Sequence, residues 1–184
     1  MAPLHSMRTT RAELLAASAN PHSPDTVLFA TLLGAHEEPH LLGLSNEQRS
    51  WLYSRHFGAM TAPAADMPIY SEEHAAFVKA LSGFLLSRIA DSADLTEARC
   101  LATIIAHACL RPDHLWRDLG LSGRDEVTVM LQRYFPVLVA RNTDGTRWKK
   151  FLARELALSL GVPPRPAPGC PDCEDFSYCF GSGP

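Results

Sequence analysis

This sequence has no long apolar run. None of its hydrophobic stretches approaches the roughly 20 residues that cross a bilayer, and Met1–Arg8 lacks the apolar stretch of a secretory leader. No strand alternation and no internal repeat occur. No glycine-rich loop is placed to cradle phosphate, and Gly181-Ser182-Gly183 is not such a loop. Ser122 and Ser159 stand in no nucleophile–base context. Charge of one sign is scarce too: 17 Lys and Arg against 20 Asp and Glu give a formal net charge of −3. A chain this close to neutral has no global field to hold nucleic acid or an anionic membrane. These absences argue against a membrane protein, a nucleic-acid binder and an enzyme with a recognisable catalytic constellation.

What is present is a globular composition. The chain has 184 residues, of which 46% are hydrophobic and 20% charged, enough for one ordinary domain with a core. The apolar periodicity is helical almost throughout. Ser23-Pro24 opens a helix to about Leu33. Ser45 and Gln48 form a capping box that opens another to about Phe57. Residues 58–70, with Gly58, Pro63 and Pro68, read as a loop. Ser71 caps a long helix, and Asp94 and Glu97 open the next, which Pro112 ends. Ser122 and Asp125 start a helix that carries Val127, Met130, Leu131, Tyr134 and Leu138 inward. Trp148, Phe151, Leu152 and Leu156 mark the last helix, stopped by Gly161 and Pro163. The expected fold is all-α: a single helical bundle domain over residues 9–161, a disordered N-terminal tail over 1–8, and an irregular Pro/Cys-rich tail over 162–184.

That second tail is the most informative stretch. Cys170, Cys173 and Cys179 stand as C-x2-C-x5-C after the proline-rich run Val162–Pro168. Thiolates at this spacing on irregular backbone can turn toward one point, which suits zinc or an iron–sulfur cluster. Three free thiols are the plain alternative, and spacing alone does not decide between zinc and cluster. The tail has no helix face to bury, so a bound metal is expected to order it. Five cysteines without a leader also point to a reducing cytoplasm.

Further ligands are sought nearby. Cys100 and Cys109 are nine residues apart on one helix, hence on opposite sides, so at most one faces the tail. Cys109 is the better placed, although buried cysteine is ordinarily a small hydrophobe. His107 and His114 flank Pro112 and could both approach the tail. His36-Glu37-Glu38-Pro39-His40 formally matches H-E-x-x-H, but Pro39 forbids the continuous helix that the motif needs, so it reads as an interhelical loop. Arg147, Lys150 and Arg154 form a basic stripe, read first as a solvated face and second as a docking surface for an acidic partner or a local attraction for a dianion. Trp116 and Trp148 read as core anchors.

The run from Ile104 to Gly181 resembles the NifQ family, molybdenum-handling proteins of nitrogenase cofactor assembly. The matching pieces are IIAHACLRPDHLWRDLGL, a helix ending in FPVLVARN, RWKKFLAREL, and CPDCEDFSYCFG, in the family's order and spacing. The resemblance implies a cytoplasmic carrier, not an enzyme, that holds an iron–sulfur cluster containing molybdenum. Its implied partners are the cofactor-assembly scaffold and the nitrogenase iron protein. The last three cysteines of the family's C-x4-C-x2-C-x5-C motif fall on Cys170, Cys173 and Cys179, and the first falls on Arg165. Ala157 stands where relatives often have another cysteine, and Thr146 where a methionine usually precedes the basic run. A cubane of three irons and one molybdenum has three thiolate-binding iron corners, so three cysteines match the irons. Two alternatives stand beside this reading. One is a zinc-stabilised helical interaction module. The other is a family member that no longer binds metal.

Overall fold

The computed structural model describes residues 9–181. The expected disordered tail, residues 1–8, lies outside them. Among the described residues every regular element is helical. The described residues divide into two compact units, one before and one after the junction of Met67 and Pro68. The division falls in the proline-bearing loop that the sequence marks at 58–70.

The first unit contains α1 (Arg11–Ala16), α2 (Pro24–Gly34) and α3 (Asn46–His56). Helix α1 was not anticipated, yet Thr10 and Glu13 cap it reciprocally in a capping box. Gly34 is required where α1 meets α2, because a Cβ there would lie 2.6 Å from the Arg11 nitrogen. The H-E-x-x-H stretch is indeed not a continuous helix. Only a 3-10 turn, Pro39–Leu42, forms within it, and Gly43 closes that turn with φ of 66°. The Ser45–Gln48 capping box forms as expected. Buried Arg49 donates to the Leu44 carbonyl at 2.9 Å and the Pro63 carbonyl at 3.0 Å, which fastens the loop to α3.

The second unit is built around α5 (Leu95–Ala108), with Ala98, Leu101, Ile104, Ile105 and Ala108 fully buried. Asp94 caps it by accepting from the Thr96 and Glu97 amides. Helix α4 (Glu72–Leu86) packs along α5 and also touches α9 (Trp148–Ser159). Between them come the single turn α6 (Leu115–Asp118), then α7 (Arg124–Tyr134) and α8 (Pro136–Arg141). The sequence suggested one helix through Leu138. Pro136 splits it, since proline has no N–H to continue the ladder. Val127, Met130, Leu131, Tyr134 and Leu138 all point inward as anticipated. Glu97, buried beneath α7, accepts from the Tyr134 hydroxyl at 2.9 Å. Gly161 ends α9 with φ of 68°, where glycine meets no penalty.

The C-terminal segment is more ordered than the sequence suggested. Residues 162–168 are irregular, but a 3-10 turn follows at Cys170–Asp172, and then the five-residue α10 (Phe176–Phe180).

Candidate metal centre

The segment reaches the body of the second unit at Gly169. Its amide donates to the Cys109 carbonyl at the end of α5, 3.0 Å away. The approach is so close that a Cβ on Gly169 would lie 1.9 Å from the Arg111 carbonyl oxygen. Ala167 is fully buried beside it. From there the chain turns through Cys170, and the Cys173 amide donates back to the Cys170 carbonyl at 3.0 Å.

Two carboxylates then tie the segment down. Asp175 Oδ2 lies 2.8 Å from an Arg147 guanidinium nitrogen and 3.0 Å from His114 Nε2. Glu174 accepts from Arg117 at 2.9 Å. Lys150 donates to the Cys179 carbonyl, and its ammonium stands 5.0 Å from the Phe180 ring. Arg147 also lies 5.0 Å from the Tyr178 ring. Hydrogen bonds and ion pairs thus join the tail to the body. One expectation is corrected here. Arg147 and Lys150 are not a solvated stripe but the surface on which the tail lies. Arg154 is turned instead to Glu155 and the Phe151 ring.

The result is a cavity of about 60 Å³ whose wall includes all three tail cysteines and His114. Trp116, Arg124, Arg147, Trp148, Lys149 and Lys150 complete most of the wall. Cys170 is buried, while Cys173 and Cys179 are half-buried. Burial pushes the Cys170 thiol above its ordinary range, and nearby Lys149 partly offsets this. Lys149 is itself buried and is held by Asp118 and by the Arg111 carbonyl at 2.7 Å. Asp118 also accepts from the Asp113 amide at 3.2 Å. The Arg111 guanidinium lies 3.4 Å away on the other carboxylate oxygen.

The other candidate ligands lie elsewhere. His107 does not line the cavity; its Nδ1 is 2.8 Å from the Thr103 carbonyl, and its ring packs against Tyr70. Cys109 is fully buried and outside the cavity wall, close enough to Cys170 to raise its own thiol further. Burial is the larger cause, and it pushes Cys109 up to about 12. Cys100 is fully buried, and burial, with Glu97 and Asp94 adding to it, likewise pushes it up to about 12. His114 is in the wall, but its Nε2 faces Asp175. Among the described residues no three His, Cys, Asp or Glu side chains converge as a single ion site would require. The three thiols thus share a cavity without pointing at one atom.

The family model described as NifQ matches residues 25–181, most of the chain. The chain belongs to the NifQ family. A NifQ protein of Rhodobacter capsulatus is 32% identical over 139 residues, covering 76% of this chain and 75% of its own length. A NifQ homolog of Sinorhizobium fredii is 46% identical over 105 residues, 56% of this chain and 44% of that protein. Azotobacter vinelandii NifQ is 43% identical over 89 residues, 48% of this chain and 46% of the relative. The chain thus spans under half the length of the last two. No solved structure matches.

Within the NifQ frame, Arg165 deserves separate placement. The resemblance sets it at the first cysteine of the C-x4-C-x2-C-x5-C motif, and it does not line the cysteine cavity. It lines a different groove, with Glu73 and His74 of α4 and Leu160 and Val162 beyond α9. Sequence reasoning also missed Asp175, Lys149 and Arg124 at the site. Lys149 and Asp175 lie in stretches that carry the family resemblance, but their roles are not readable there because their partners are remote in the chain. No helix among the described residues is long and apolar enough to cross a membrane.

Proposed function

We propose that this NifQ-family chain is a carrier for an iron–sulfur cluster containing molybdenum, which it donates to nitrogenase iron–molybdenum cofactor assembly. The observation that carries the reading is the shared cavity: Cys170, Cys173 and Cys179 bring three thiols to one wall, and four cations line it with them. The donor set suits the cargo in kind. Thiolates are the usual ligands of iron in such clusters, and each takes its own iron, so the sulfurs need not meet at one point. The cations lower the cost of holding an anionic, thiolate-bound cluster in a partly buried place.

Arg147 and Lys150 fix the positions of Asp175 and Cys179, so they orient the ligand segment. Cys173 and Cys179 keep partial access to solvent, which gives an acceptor a side from which to exchange ligands. The cytoplasmic assembly scaffold and the nitrogenase iron protein are the proposed partners.

A second reading has its own support. His114 and the three cysteines share the wall and are the residue types of a Cys3His zinc site, which they would form only by converging further. In that case the protein is an interaction module and transfers nothing.

Anaerobic reconstitution with iron, sulfide and molybdate separates the two. About three irons per chain with molybdenum and absorption near 400 nm is the expected result. A colourless protein with one zinc overturns the carrier reading, and one without any metal indicates a relative that has lost the function.

A further inference from the structure

The groove that Arg165 lines is much larger than the cysteine cavity, at about 760 Å³, and lies within the second unit. Its lining is mostly apolar, with Phe77 from α4, Leu156 and Leu160 from the end of α9, and Val162 just beyond. Leu160 is 59% exposed and Val162 49%, and nearby Leu158 is exposed as well. Single exposed aliphatics are ordinary. Three within five residues, two of them lining a groove, make a patch of the kind that partners cover.

The backbone of the groove restricts what can occupy it. Pro163, Pro166, Pro168 and Pro171 line it and have no N–H. The amides of Val162, Gly169 and Cys170 are already bonded within the chain. No described residue forms a strand that a peptide could extend. This wall therefore offers an extended chain almost no ladder of hydrogen bonds. An occupant has to satisfy its own backbone groups, as a helix does, and anchor by side chains at i, i+3, i+4 and i+7.

Charge restricts it further. Glu73, His74 and Arg165 are the titratable residues of the lining. Glu73 stands in the first turn of α4, where the helix dipole offsets a carboxylate. Arg165 has no such compensation. It is exposed, sits on irregular backbone and meets no carboxylate among the described residues. The charge left open to an occupant is positive.

We infer that this groove docks an amphipathic helix of a partner protein, with an acidic residue at the edge of its apolar face for Arg165. The groove and the ligand segment share the chain between Val162 and Pro171, so a docked helix lies against the backbone that carries Cys170. The inference does not depend on what the cysteines hold.

The test pans the full chain, immobilised with its thiols reduced, against a displayed library of random peptides of about 16 residues, some four helical turns. Enriched sequences are synthesised, their affinity is read by fluorescence anisotropy and their bound conformation by circular dichroism. The expected result is enrichment of sequences with apolar residues at helical spacing and at least one Asp or Glu, which become helical on binding. Leu160→Asp/Val162→Asp should weaken them about ten-fold or more, with thermal unfolding showing that the variant is folded. Arg165→Glu should weaken them by up to about five-fold, the size of an exposed ion pair. Exchanging the peptide's acid for Lys should restore binding to that variant. Absence of enrichment overturns the docking surface. So do enriched peptides that bind Leu160→Asp/Val162→Asp equally well, that bind without becoming helical, or that prefer basic residues. Sedimentation of the chain alone tests a second copy as occupant. A dimer that Leu160→Asp/Val162→Asp dissociates assigns the groove to self-association and overturns the partner helix. Iron loading of the same variant should stay at the wild-type level. Joint loss of iron and peptide would show that the substitutions disturb the ligand segment, and would sink the groove as a separate docking surface.

Discussion

The Gly169 amide donates to the Cys109 carbonyl at 3.0 Å, so the ligand segment is joined to the helix end next to a buried thiol. Nothing larger than glycine fits. Gly169→Ala places a methyl against the Arg111 carbonyl, and either the segment or the helix end must shift. Overpacking of this kind costs about 1–3 kcal/mol. Thermal unfolding should register that loss, and iron uptake should fall as Cys170 is displaced. Unchanged uptake in Gly169→Ala would mean that this junction does not position the cysteines.

Lys149 and Asp118 form a buried ion pair in the second unit. Lys149→Ala leaves Asp118 buried with Arg111 and an amide as remaining partners. Breaking a buried pair from one side costs about 3–5 kcal/mol, and the surviving partners place the expected loss near the lower end. Denaturant titration measures it. A loss below about 1 kcal/mol, the range of exposed pairs, would show that solvent reaches Asp118.

The Asp175 contacts behave differently because they are partly exposed. Asp175→Asn should change global stability by under about 1 kcal/mol. It should nevertheless loosen the segment locally, since Arg147 and His114 both lose a carboxylate. Limited proteolysis should then cut between residues 162 and 181 faster than in the wild type, with the rest of the chain equally resistant.

Arg165→Cys gives the chain the four-cysteine spacing that the family resemblance implies. Because Arg165 lines another groove, iron content per chain should not rise in that variant. An added iron would show that the proline-rich stretch rearranges when cargo binds. By contrast, Cys170→Ser, Cys173→Ser and Cys179→Ser should each lower iron content, and Cys109→Ala should not.

The buried thiols give a pH dependence with a definite sign. Cys100 and Cys109 are raised to about 12 from an ordinary 9.0, so folding favours their neutral forms. Their contribution to stability is fully present below the unfolded value near 9.0 and declines as pH rises toward 12. Each thiol should cost up to about 1.4 kcal/mol per pH unit in that window. Chemical denaturation at pH 8 and pH 10.5 checks this, and Cys109→Ala should flatten the slope. In the native state at pH 8 both thiols should resist alkylation, whereas Cys173 and Cys179 should react.

Much of the fold was legible because its signals are local. Ser45 with Gln48, Ser71, Asp94 and Pro24 each marked a helix start by short-range chemistry. Thr10 with Glu13 carried the same capping signal and was overlooked. Pro136 was overlooked as a break because apolar spacing continued across it. At the site, the three cysteines stood out by spacing. The partners that hold them did not, since Arg117 meets Glu174 across 57 residues and Lys149 meets Asp118 across 31. Such pairs leave no trace in local periodicity. The basic residues of α9 therefore looked like a solvated stripe when their partners are on the tail.

The order of the cavity's parts along the chain has a consequence for biosynthesis. Its non-thiol wall is drawn from residues 113–150, and its thiols from residues 170–179. During translation the wall leaves the ribosome first, at about 5–20 residues per second. The three cysteines follow it, so the surface that they pack against is synthesised before they are.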